Sequence, residues 1–128
     1  MKLIDTVVII GSLDTGSPLN NQCIKHLDSI DEETETIVPT TTLLEADLVM
    51  KGRGFSYDER ITTWHALDYR IPSGKVVANT ASSMLAAIPL QEKGMDYFDS
   101  LISSLANELK GKVVTTDQAI GALVETKW

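Results

Sequence analysis

The stretch that decides the fold is Asp96-Tyr97-Phe98-Asp99-Ser100-Leu101-Ile102-Ser103-Ser104-Leu105-Ala106-Asn107-Glu108-Leu109-Lys110-Gly111-Lys112-Val113-Val114-Thr115-Thr116-Asp117. Its first part reads as a helix from Asp96 to Leu109, stopped by Gly111. Its second part, Val113 to Thr116, is β-branched throughout and is the clearest strand in the chain. A further helix opens at Asp117 or Gln118. One carboxylate, Asp99, thus lies within an otherwise apolar helix, and another, Asp117, follows directly on a strand.

Working outward, the N-terminal Lys2-Leu3-Ile4-Asp5 repeats the arrangement of an apolar strand that ends in an acid. Val7–Ile10 either extends that strand or begins a helix, and Gly11–Ser17 reads as a loop. Ser17 and Pro18 predict a helix start, with Leu19, Cys23, Leu27 and Ile30 as its buried stripe. The acidic run Asp28–Glu35 reads as solvated loop. Glu35–Pro39 predicts a short strand, and Thr40–Thr42 offer N-caps to a helix carrying Leu43, Leu44, Glu45, Leu48 and Val49, ended near Gly52 and Gly54. Ser56-x-x-Glu59 is a capping-box pattern for a helix through Arg70. Lys75–Val77 is a third strand or an extended link. Pro89 should kink or break a helix spanning about 81–93. Strands separated by helices predict an α/β fold layered on a parallel sheet. Such sheets bind ligands beyond the carboxyl ends of their strands, where Asp5 and Asp117 fall.

The 128 residues suffice for one domain, 1–128, with a single sizeable core. A hydrophobic fraction of 43% matches a globular chain. The longest early aliphatic run, Val7–Ile10, is far short of the ~20 residues of a membrane span, and no signal-peptide pattern opens the chain. With Cys23 as the sole cysteine, an internal disulfide framework and a CxxC metal site are both excluded. These features predict a cytoplasmic protein without a membrane partner. The net charge of −7 argues against a broadly basic nucleic-acid-binding face. It still permits a nucleic-acid substrate met through metal ions and a few local cations.

Hard divalent cations prefer carboxylate oxygens, and magnesium takes few protein ligands and keeps open positions for water and phosphate. Asp5, Glu45, Asp99 and Asp117 are the candidates for such a site. Asp96, one turn before Asp99, is a helper or an N-cap. Taken singly, Asp99 serves equally well as a helix-dipole partner and Asp117 as a cap, so spacing alone leaves both readings open. Lys51, Arg53 and Arg60 are the basic residues nearest a proposed ligand, available to hold RNA phosphates or simply solvated. His26 and His65 lack acidic partners at metal-ligand spacing and read as surface or helix-flank residues. Trp64 and Trp128 read as packing residues, and Cys23 as a small core residue.

The ordered motifs Leu3-Ile4-Asp5-Thr6, Leu43-Leu44-Glu45, Tyr97-Phe98-Asp99-Ser100 and Thr115-Thr116-Asp117 resemble the PIN-domain family of metal-dependent nucleases. The resemblance spans nearly the whole chain. It implies a three-layer α/β/α sandwich around a mostly parallel sheet, a magnesium or manganese cofactor, and cleavage of RNA. Carried over by position, Asp5, Glu45, Asp99 and Asp117 are the metal-binding and catalytic quartet, with Thr6 and Thr116 as hydroxyl-bearing neighbours. Val7 stands where the family often has Asn, and Ile120 where it often has an aromatic residue. Many such proteins are toxins of toxin–antitoxin pairs and many dimerise, which implies an antitoxin-like partner and a homodimer.

Other readings compete. Gly11-Ser12-Leu13-Asp14-Thr15-Gly16-Ser17 resembles the phosphate loop of flavodoxin-like proteins, but Asp14 would repel the phosphate. A phospho-receiver domain needs an acceptor Asp on a middle strand and a late Lys, which Asp5 and Lys112 do not supply. A catalytically degenerate PIN-like domain that binds a protein partner is the remaining alternative.

Overall fold

In the computed structural model, which describes residues 1–128, the short apolar runs become five parallel strands in the order β3-β2-β1-β4-β5. These are β1 (Lys2–Ile4), β2 (Thr36–Pro39), β3 (Val76–Val77), β4 (Lys112–Val114) and β5 (Thr126–Lys127). Seven helices connect and cover them: α1 (Thr6–Leu13), α2 (Asn20–Glu32), α3 (Thr40–Gly52), α4 (Tyr57–Arg70), α5 (Ala81–Glu92), α6 (Tyr97–Leu109) and α7 (Gln118–Gly121).

Successive strand side chains point to opposite faces, so a strand covered on both sides is apolar at every position. Leu3, Ile37 and Val113 pack on one face with Ile102, Leu105 and Ile120 from α6 and α7. Ile4, Val38 and Val114 pack on the other with residues of α1, α2, α3 and α4, among them Val8, Leu27, Met50 and Leu67. Two cores on one sheet make the three-layer α/β/α sandwich, with every strand pair parallel.

The strand order places the site. The chain moves outward from β1 to β2 to β3 and then returns to lay β4 against the other side of β1. The order therefore reverses at β1, and the crevice beyond the carboxyl ends of β1 and β4 is the switch point where such sheets bind ligands. Ile4 pairs with Val114 at that end, so Asp5 and the Thr115–Asp117 turn leave the sheet side by side.

Several local expectations are corrected. Val7–Ile10 belongs to α1, which continues through Gly11, Ser12 and Leu13 instead of yielding to a loop there. Gly11 lies where α1 crosses α2, and an added Cβ would come within 2.4 Å of the Cys23 sulfur. Ser17-Pro18 forms a turn, and α2 begins at Asn20, whose side chain donates to the Gly11 and Ser12 carbonyls at 2.9 and 3.2 Å. The acidic run from Asp28 is helical to Glu32, because Leu27 and Ile30 keep one face buried while Asp28, Asp31 and Glu32 face water. Thr41 and Thr42 are buried within α3 and do not cap it; the N-cap is Pro39. Pro89 stays inside an unbroken α5. The carbonyl that its missing N–H would have bonded belongs to Leu85, a residue 71% exposed, where water can serve.

The Ser56/Glu59 capping box is formed as the sequence predicts. The end of α6 is shared by two residues. Lys110 takes the left-handed conformation at φ 54, while Gly111 allows close approach to β1, its absent Cβ falling 2.6 Å from Leu3 Cδ1 and 3.0 Å from the Met1 carbonyl oxygen. The short strand β5 has no counterpart among the sequence expectations. No helix is long and apolar enough to cross a membrane.

Candidate active site

Asp5 is the first residue beyond β1 and the N-cap of α1. It is 6% exposed, and its Oδ2 accepts a hydrogen bond from the Thr115 hydroxyl at 2.6 Å. The Thr115 oxygen in turn accepts from the Asp117 N–H at 2.9 Å. One buried hydroxyl thus links the acids that follow β1 and β4. The sequence motif points to Thr116 for this role, yet Thr116 is exposed at the rim and Thr115 does the orienting. Strand alternation is the signal that could have found it: Val113 and Val114 face opposite cores, and Thr115, though polar, is buried as they are.

Glu45 arrives from α3. The Thr42 hydroxyl donates to the Ile4 carbonyl at 2.8 Å, tying the first turn of α3 to the end of β1. Glu45, three residues on, is carried over the pocket, where the Thr6 hydroxyl donates to its Oε1. Thr6 is therefore an orienting neighbour of Glu45. Asp99 enters from the first turn of α6. Asp96 caps that helix, accepting from the Phe98 and Asp99 N–H groups, and also faces the pocket. Asp117 does both things the sequence leaves open: its Oδ1 accepts from the Ala119 N–H at 2.8 Å as the cap of α7, and it lines the pocket.

Asp5, Glu45, Asp96, Asp99 and Asp117 thus share one cavity of about 440 Å³, with Thr6, Val7, Val49 and Thr116 around them. The tightest group is Glu45, Asp96 and Asp99, each with a carboxylate oxygen within 4.8 Å of the others. Asp14 is not among them; it lies at the far end of α1. None of the five ion pairs in the molecule reaches this cavity. The pocket's charge therefore has no protein counter-ion.

The consequence is visible in the acids themselves. Desolvation pushes the Asp99 carboxyl up to about 7, helped by the charges of Asp117, Asp5, Asp96 and Glu45. Burial also raises Asp5, against the Thr115 hydrogen bond that favours its ionised form. Glu45 is raised mainly by burial, opposed by its bond from Thr6. An all-carboxylate, oxygen-only donor set with open space beside it fits magnesium or manganese and is poorly suited to softer metals.

The basic residues divide. Arg60 forks onto Asp47 through Nε and Nη2 at 3.1 and 2.6 Å, and the Trp64 indole N–H joins at 2.9 Å. Arg60 is therefore a clamp between α4 and α3, and Trp64 has a polar task besides packing. Lys51 and Arg53 are exposed and in no ion pair. His26 packs at a tilt against Trp128, ring centres 4.8 Å apart, and does not line the acidic pocket. Cys23 is buried and free.

No protein-family profile and no curated protein sequence matches the chain. Solved structures do. The FitAcB structure from Neisseria gonorrhoeae is similar with a TM-score of 0.75 at 19% identity, covering 98% of this chain and 96% of that one. VapBC2 from Rickettsia felis, bound to a DNA fragment from its promoter, gives 0.74 at 12% identity over 99% and 98%. DNA-bound VapBC from Salmonella typhimurium gives 0.67 at 14% over 98% and 96%. At such identities the likeness speaks to the fold, and this chain has the PIN-type fold that its four ordered motifs resemble.

Proposed function

We propose that this chain is a divalent-metal-dependent ribonuclease, with magnesium or manganese held by Asp5, Glu45, Asp99 and Asp117 and with Asp96 beside them. The observation that carries this reading is the convergence of five carboxylates on one open pocket without a single cationic partner. These carboxylates would hold a divalent cation, which would supply polarisation of the scissile phosphate and activation of water at neutral pH.

The chain's own residues prepare the site. Thr115 fixes the Asp5 carboxylate and the turn that presents Asp117, and Thr6 fixes Glu45. With these groups held before substrate arrives, little reorganisation is left for the reaction itself. Lys51 and Arg53 are the free cations at the end of α3 that meet RNA phosphates. The RNA assignment rests on the resemblance of the motifs.

The neighbouring FitAcB and VapBC structures are complexes, and they support an antitoxin-like protein partner for this chain. Leu44 and Leu48 on α3, and Leu85 and Ile88 on α5, are each more than half exposed. Such apolar faces suit a protein partner or a second copy.

The test is cleavage of single-stranded RNA in manganese by the wild type and by Asp99→Asn. Metal-dependent cleavage lost in the folded variant supports the assignment. Cleavage that survives the substitution removes Asp99 from the catalytic set. A folded wild type that cuts no RNA but retains a protein partner is the outcome of a degenerate interaction domain.

A further inference from the structure

We propose that single-stranded RNA leaves the acidic pocket along one trough beside α1 and α3, where Arg53 holds a phosphate and Phe55 receives a base. The inference rests on the ribonuclease reading above and adds the direction the strand takes.

Thr6, Val7 and Val49 line the acidic pocket. The same three residues line a second cavity of about 310 Å³, which continues past Ile10 to Arg53. Ile10 and Arg53 recur in a third cavity of about 290 Å³, where Phe55 is added. Cavities lined by the same side chains lie next to one another, and together these three form a trough along α1 and the C-terminal part of α3. Its lining is mostly apolar between an acidic end and a cationic end.

The charges along it are not symmetrical. Arg53 caps the C-terminus of α3, is exposed, and makes no ion pair. Asp14 is the one acid in the trough outside the acidic pocket; its Oδ1 accepts from the Gly16 N–H at 3.1 Å, and it forms no ion pair with Arg53. Glu45 and Arg53 stand eight residues apart on one helix, about 12 Å at 1.5 Å per residue. That is roughly three to four steps of a stacked strand at about 3.4 Å each. An apolar floor with an aromatic edge and a guanidinium at this distance suits a strand whose bases lie inward and whose phosphate meets Arg53. Adjacency to the acidic pocket and the unpaired cation favour RNA over an apolar peptide.

The test uses the full chain carrying Asp99→Asn, so that RNA stays intact, and fluorescence polarisation with labelled octauridylate and diuridylate. Adding Arg53→Ala should weaken the octamer about tenfold, the low end for a hydrogen bond to a charged group. The slope of log affinity against log salt should fall by about 0.7, the value of one lost phosphate contact on a single strand. The dimer, too short to reach Arg53, should bind both proteins equally. Asp14→Asn should tighten the octamer.

An octamer affinity and salt slope unchanged by Arg53→Ala would overturn the trough, even if the wild type cleaves RNA in the separate activity assay. Failure of the parent variant to bind either oligonucleotide overturns it as well. A co-purifying protein partner lost with Arg53→Ala, while RNA binding is unchanged, assigns the trough to protein and equally overturns it. Absence of cleavage by the wild type, with the octamer effects present, would instead sink the ribonuclease reading and keep the binding path.

Discussion

Asp99→Asn in the metal-free protein should raise stability at neutral and alkaline pH, although it removes a residue assigned to the site. Asp99 titrates near 7 in the fold against 3.8 as a free side chain. A carboxyl raised in this way binds its proton more tightly folded than unfolded, so the stability it contributes is present below about pH 4. That stability is lost as pH climbs through about 7. The full shift corresponds to roughly 4 kcal/mol at about 1.36 kcal/mol per unit. Asp99 is only partly buried, and solvent screening reduces the figure to about 1–2 kcal/mol. Its favourable interaction with the N-terminus of α6, about 0.5 kcal/mol, disappears with the charge.

The net gain for Asp99→Asn is therefore about 1 kcal/mol at pH 8. With an unfolding entropy of about 2.1 cal/mol/K per residue, a chain of this length gains about 4 °C in Tm. The assay is thermal unfolding of both proteins in a chelator from pH 4 to pH 8. The curves should converge near pH 4, separate progressively as pH rises, and reach their full separation above about pH 7. Millimolar manganese should reverse their order, because the cation binds only the folded wild-type pocket well. A variant that melts at or below the wild type at pH 8 in chelator would refute the repulsion argument.

Three other substitutions probe the scaffold. Thr115→Val leaves the buried Asp5 carboxylate and the Asp117 N–H without their shared partner. It should cost about 2–3 kcal/mol in urea unfolding and abolish RNA cleavage. Arg60→Ala should lower the Tm through loss of the Asp47 clamp between α3 and α4, yet leave the cleavage rate on a dinucleotide unchanged. Gly111→Ala places a methyl group against Leu3 and the Met1 carbonyl. It should destabilise by about 1–3 kcal/mol, read as a lower Tm with the metal dependence retained.

The sheet and most of the site are legible in the sequence for a simple reason. Parallel strands covered on both faces are uninterrupted apolar runs, and here two of them end in an acid. Asp5 and Asp117 can thus be placed at the carboxyl ends of their strands from the residue pattern alone, whereas the strand order that makes that place the switch point comes from the fold. Glu45 and Asp99 are recognisable from the order of motifs, since nothing in their spacing says that α3 and α6 lean over the same crevice. The failures share a cause. Charged Asp28–Glu32, the hydroxyls of Thr40–Thr42 and Pro89 are all local signals of loop, cap or break. Burial of Leu27 and Ile30, the Thr42 bond to β1 and the solvent exposure of Leu85 override them. Arg60 reads as a free cation in the sequence because its partner, Asp47, lies on a different helix, and only packing reveals such pairs. The motif favours Thr116 over Thr115 because it does not say which hydroxyl turns inward.

Manganese binding measured by isothermal titration calorimetry at pH 7, in two buffers of different ionisation enthalpy, tests the central claim most directly. The acidic pocket predicts binding to the wild type with release of protons from Asp99 and its neighbours, and strong weakening in Asp99→Asn. Binding that is absent, or equal in both proteins with no proton released, would contradict it.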